Sequence, residues 1–156
     1  MRSLLTLVAL LFPLTAADDA RPNFSGEWKM NAEKSSFGQL PAPLAYHRHI
    51  DHKDPIIRMV ARQSTQMGEQ TVVSTMRTDG VQTTNPSRTG DTKTIGRWQG
   101  RDLELTTTKQ VEGGEAVTRE TWSLSAEGRA LTSNTSLRTP RGEFEVRVVF
   151  EKQQKP

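Results

Sequence analysis

The chain has 156 residues, 33% of them apolar and 25% charged, with a formal net charge of +3 and no cysteine. The absence of thiols excludes disulfide staples, cysteine nucleophiles and thiolate metal sites. Basic and acidic residues interleave without an Arg-rich run or an RNA-binding aromatic signature, so the composition does not point to a nucleic-acid partner.

Residues 1–17 read as a targeting segment. Arg2 supplies a minimal positive start, Leu4 to Leu14 form an apolar run, and Thr15, Ala16 and Ala17 precede the acidic pair Asp18-Asp19. This is the layout of a secretory signal peptide cleaved after Ala17. The apolar run is too short for a retained membrane helix. The expectation is therefore an exported protein, periplasmic or secreted, whose mature chain (18–156) is one domain with no transmembrane segment. Much of the apolar content lies in the signal, so the mature chain is poor in core-forming residues for its length. Yet strand patterns run almost end to end. A small β-barrel whose interior is partly polar or partly empty reconciles the two.

The first such pattern is Phe24-Ser25-Gly26-Glu27-Trp28, where Phe24, Gly26, Trp28 and Met30 alternate with Ser25, Glu27 and Lys29. Period-two alternation marks a strand buried on one face. Further strands are expected near 44–52, 56–64, 70–78, 81–85, 92–98, 101–111, 115–124, 129–138 and 143–152, after a first one near 24–31. The stretch 32–43, with Ser35-Ser36, Gly38, Pro41 and Pro43, reads as a loop holding at most one short turn of helix. Glycines recur at Gly68, Gly80, Gly90, Gly100, Gly114, Gly128 and Gly142 in turn-forming company such as Asp79-Gly80 and Glu127-Gly128. That punctuation predicts antiparallel hairpins in an up-and-down order. The last strand is the clearest, with Phe144, Val146, Val148 and Phe150 alternating with charged residues. A sheet of this many strands closes more readily than it stays flat, and closure would pair the first strand with the last. The fold class expected is all-β: an antiparallel up-and-down barrel of eight to ten strands.

Gly26 and Trp28, at the head of an exported all-antiparallel chain of this length, resemble the G-x-W opening of the calycin superfamily, the group of lipocalins, fatty-acid-binding proteins and avidins. The layout is also similar to that of exported bacterial lipocalin-like proteins. The resemblance implies a barrel enclosing a cavity for small, mostly apolar molecules, with Gly26 and Trp28 in structural roles. The chain departs from the pattern in three ways. It has no disulfide, its 32–43 loop is too short for a paired helical lid, and Arg147, the basic residue expected near the first tryptophan, falls on the face opposite Phe144–Phe150.

Catalytic signatures are few. The sequence holds no G-x-S-x-G elbow, phosphate-cradling glycine loop or H-E-x-x-H, so no catalytic residue and no cofactor is expected. A cavity isomerase or hydrolase would have only Glu120 as its acid or base. All three histidines lie in His47-Arg48-His49-Ile50-Asp51-His52. His47 and His49 share a face with Asp51, a partial metal-ligand set, but the other face carries Tyr46 and Ile50, which turns these histidines toward water. No metal site is assigned.

Inward parity places Tyr46, Arg48, Met59, Met76, Trp98, Leu105 and Glu120 along the cavity wall as candidate ligand-binding residues. Arg48 and Glu120 are the costly members, because a buried charge must be paired or bridged. Two accounts stand: Arg48 with Tyr46 receives a ligand carboxylate, or Arg48 and Glu120 pair with each other or sit at a wet barrel mouth. The function expected is non-enzymatic binding of a small apolar or amphipathic molecule. The alternative is an envelope or secreted interaction module, including an enzyme inhibitor, acting through the loops at 32–43 and 84–90.

Overall fold

The protein is described by a computed structural model covering residues 20–154; the expected signal and its cleavage site lie outside those residues. The alternating segments form β1 (Gly26–Ser36), β2 (Ala45–Lys53), β3 (Ile56–Thr65), β4 (Gly68–Arg77), β5 (Thr83–Asn85), β6 (Thr92–Gln99), β7 (Asp102–Val111), β8 (Gly114–Leu124), β9 (Ala130–Thr139) and β10 (Gly142–Lys152). They make one 10-stranded sheet in the order β4-β3-β2-β1-β10-β9-β8-β7-β6-β5, every pair antiparallel. The sheet curls into a nearly closed barrel. As expected, β1 pairs with β10, with Trp28 opposite Lys152 and Met30 opposite Phe150. No helix among the described residues is long and apolar enough to cross a membrane.

The two sheet ends, β4 and β5, meet without a full ladder. A side chain substitutes for the missing pairing. The Asn85 amide donates from Nδ2 to the Thr75 carbonyl at 2.9 Å, and its Oδ1 accepts the Thr75 N–H at 2.7 Å. Farther along, Asp79 bridges Arg97, and the Gly80 N–H donates to Gly96 O at 2.8 Å. Gly96 permits this approach, since a Cβ there would lie 2.3 Å from Arg77 O. No side chain fits that gap.

The region 32–43 departs from expectation. β1 continues to Ser36, so its first residues are strand instead of loop. The cause is a bulge: the pairing with β10 jumps from Asn31↔Val149 to Ser36↔Arg147. Ser35 holds it, donating from Oγ to Asn31 O at 2.6 Å and accepting the Val149 N–H at 3.0 Å. Local side-chain bonds of this kind offer the backbone a route that alternation alone does not reveal. Beyond it, Leu40 N–H closes a turn on Phe37 O in place of a helix.

One end of the barrel is shut. Residues 20–25 cross it, and Phe24 is fully buried beneath Trp122, their rings edge to face at 5.4 Å. Trp28, Ile50, Ile57, Leu103, Trp122, Leu131 and Phe150 complete this floor, each less than 2% exposed. The Trp28 indole donates to Phe24 O at 2.9 Å, which ties the crossing segment to β1. The Lys152 ammonium lies 5.3 Å from the Trp28 ring centre. The stem of that lysine passes over Gly26, where a Cβ would come within 2.7 Å of Lys152 Cε. Thus Lys152, and not Arg147, is the cation beside the first tryptophan; Arg147 points outward and donates to Lys34 O at 3.1 Å.

Candidate functional site

Alternation along β2 turns Tyr46, Arg48, Ile50 and His52 inward and leaves His47 and His49 exposed. On the outside, His49 Nδ1 meets Glu27 Oε1 at 2.5 Å, and among the described residues no group of three or more His, Asp or Glu side chains is placed to hold a metal ion. Alternation along β8 turns Glu120 and Trp122 inward in the same way. The barrel's curl then brings β2 and β8 face to face across the interior, just above the floor.

There Arg48 and Glu120 form a buried ion pair, Nη1 to Oε1 at 2.9 Å, with side chains 6% and 18% exposed. Tyr46 closes the other edge of the guanidinium: its hydroxyl accepts Nε at 3.0 Å and Nη2 at 2.9 Å. Aromatic rings enclose the cation, with Phe150, Tyr46 and Trp122 centred 4.6, 5.1 and 5.3 Å from Arg48 Cζ. Cation–ring attraction at this range compensates part of the lost hydration. Glu120 Oε1 also accepts the Trp122 indole N–H and the Ser133 hydroxyl, the latter at 2.6 Å.

The electrostatics follow from these contacts. Burial works against the Arg48 charge, but Tyr46 and Glu120 more than reverse it and hold its pKa above the usual arginine value. Burial alone would push the Glu120 carboxyl up; the Arg48 charge, then Ser133 and Trp122, hold it below its ordinary value. Glu120 is therefore a weaker base than a free carboxylate, the wrong direction for proton abstraction near neutral pH.

The remaining candidates distribute along the wall. Leu105 is buried directly across the ladder from Glu120. Met59 is half-buried beside Ile50, and Met76 is buried beside Ile57 near the floor. Trp98 lies at the shut end, stacked 5.8 Å from Phe24 and 6.1 Å from His52, with Arg21 over its ring. Sequence reasoning missed the polar node beneath it. Asp54 Oδ1 accepts the Thr78 hydroxyl at 2.6 Å and the His52 and Trp98 ring N–H groups, each at 3.3 Å. The Phe24 N–H donates to His52 Nδ1, which fixes the ring as the Nε2–H tautomer. The one signal in the sequence is strand parity, which puts His52 on the face opposite His47 and His49.

Above the ion pair the lining changes character. Inward positions Thr107, Thr118, Thr135 and Val146 are half-buried, and Val72, inward by register with Ala61, is 57% exposed. Among the described residues the buried Ser74 hydroxyl has no hydrogen-bond partner. Inward side chains are thus sealed from water at the Phe24 end and only partly covered toward the other, with the charged pair between the two.

This geometry defines a calycin-like barrel. No protein-family model matches the chain, and no curated protein matches it. Among solved structures, a secretory abundant heat soluble protein of Ramazzottius varieornatus is similar at TM-score 0.59 and 11% identity, covering 83% of this chain and 94% of that one. Zebrafish ileal bile acid-binding protein complexed with cholic acid is similar at TM-score 0.57 and 13% identity, covering 83% and 98%. Apo lipid binding protein 8 of Caenorhabditis elegans is similar at TM-score 0.57 and 10% identity, covering 83% and 95%. At these identities the likeness establishes the fold.

Proposed function

We propose that the protein is a non-enzymatic carrier or scavenger that takes a small apolar or amphipathic molecule into the open half of its barrel, and that it works after export. The observation that carries this reading is the division of the interior. Large side chains at the Phe24 end are sealed from water, while toward the other end Thr107, Thr118, Thr135 and Val146 are only half-buried and Val72 is 57% exposed. Concave sites that mix apolar lining with a few fixed polar groups are the usual form of small-molecule sites. Structural neighbours named for fatty-acid, lipid and bile-acid binding share the fold. The leader-like layout of residues 1–17 supports export.

Native mass spectrometry of the mature chain purified from its host tests the idea. The expected spectrum shows a co-purifying small molecule bound one to one, released on unfolding. A chain that emerges bare, and stays bare when incubated with host lipid extract, overturns the proposal.

A further inference from the structure

The interior charges are arranged unlike a receptor for an anion. A guanidinium that awaits a ligand carboxylate must present a free N–H edge toward the space the ligand fills. Arg48 does not. Tyr46 closes its Nε–Nη2 edge, Glu120 takes one of the two Nη1 N–H groups, and the rings of Phe150, Tyr46 and Trp122 leave only 6% of the side chain exposed, so little of the guanidinium reaches open space.

The more exposed partner is the acid. Three donors, from Arg48, Trp122 and Ser133, converge on Glu120 Oε1. Oε2 has no protein partner among the described residues, yet it is not among the atoms sealed from solvent. The Tyr46 hydroxyl accepts two N–H bonds, and its O–H has no acceptor among the described residues. The Arg48–Glu120–Tyr46 unit therefore presents one accessible acceptor, Glu120 Oε2, and an unassigned donor, the Tyr46 O–H, and its formal charges already cancel. A ligand carboxylate placed here would set a second negative charge beside Glu120 with no cation left to share. A ligand ammonium would lose its hydration to a carboxylate already neutralised by Arg48.

We propose that the site selects an uncharged amphiphile, one whose polar end is a hydroxyl or amide that donates to Glu120 Oε2, over fatty acids and over amines. This rests on the reading of the open half as the binding space, and it narrows that reading to a ligand class. The unpartnered Ser74 hydroxyl on the wall is a further polar atom that a neutral ligand or its water would meet.

The test uses the purified mature chain loaded with N-phenyl-1-naphthylamine, a neutral apolar fluorescent probe. The probe is displaced at about pH 8 by three amphiphiles of one chain length: decan-1-ol, decanoate and decylamine. Decan-1-ol is expected to displace at a concentration at least about ten-fold below either ion. In Glu120→Gln an amide replaces the free acceptor and Arg48 loses its counter-charge, so decanoate is expected to overtake decan-1-ol. Should that variant not fold, Tyr46→Phe serves: it frees the Nε–Nη2 edge of Arg48, so the advantage of decan-1-ol over decanoate is expected to narrow or reverse. Displacement by either ion as strong as by decan-1-ol in the native chain overturns the ligand class while leaving the binding space intact. A folded Glu120→Gln with an unchanged ranking also overturns it. Failure of the native chain to take up the probe saturably is a different result, which removes the binding space itself.

Discussion

The two halves of the barrel are built from the same strands yet follow opposite rules. In the lower half large apolar side chains dominate the inward positions, and Trp28, Trp122, Phe24 and Phe150 are sealed from water. In the upper half the same strands turn smaller or more polar residues inward, among them Thr107, Thr118 and Thr135, and these are only half-buried. Stability is concentrated where the interior is filled, and adaptability where it is not. The Arg48–Glu120 pair sits on the boundary, buried enough to need its partner and open enough to meet a ligand.

That division orders the consequences of substitution. Trp28→Ala empties the floor and removes the indole bond to Phe24 O, and should cost about 4 kcal/mol in urea unfolding. Glu120→Ala strands the Arg48 charge and should cost about 3 kcal/mol; the double variant Arg48→Met/Glu120→Leu should recover most of that loss. Gly96→Val forces β6 away from Arg77 O and should cost about 2 kcal/mol. Asn85→Ala removes the side chain that joins the sheet ends, with a loss near 1 kcal/mol and faster hydrogen exchange at the Thr75 amide. Thr118→Val, in the open half, should change stability by less than about 0.5 kcal/mol. A loss from Thr118→Val as large as that from Trp28→Ala would erase the distinction between the halves.

Acid provides a further check on the boundary. Glu120 has a folded-state pKa below its unfolded one, so its stabilising contribution is complete above the ordinary glutamate range. It is lost as pH falls through that range toward the lower folded value. Glu120→Gln should flatten this part of the stability–pH curve relative to the native chain, as measured by thermal unfolding between about pH 3 and pH 7. An unchanged slope would mean that the ion pair does not couple to folding.

Alternation and glycine spacing made the strands legible, because both are local. Parity also turned Arg48 and Glu120 inward, since Arg48 lies two positions from Tyr46 and Ile50, and Glu120 two positions from Trp122. That they meet each other depends on curl and register across strands 72 residues apart, which no local pattern contains. The β1 bulge escaped notice because Ser35 acts on the backbone instead of through its face. Lys152 could not be preferred to Arg147 as the neighbour of Trp28 without the Trp28–Lys152 register. The Asp54 node was hidden for a similar reason: a turn residue collects donors from β2, β6 and Thr78, three separate parts of the chain.

The central claim is that the upper half of the barrel is a binding space and the lower half is not. Methyl-resolved NMR of the labelled chain during titration with decan-1-ol tests it most directly. The account predicts saturable shifts at the methyls of Thr107, Thr118, Thr135 and Val146, with those of Leu103 and Leu131 in the floor nearly still. Shifts confined to the floor or to outward-facing methyls, or no saturable shift at all, would contradict it.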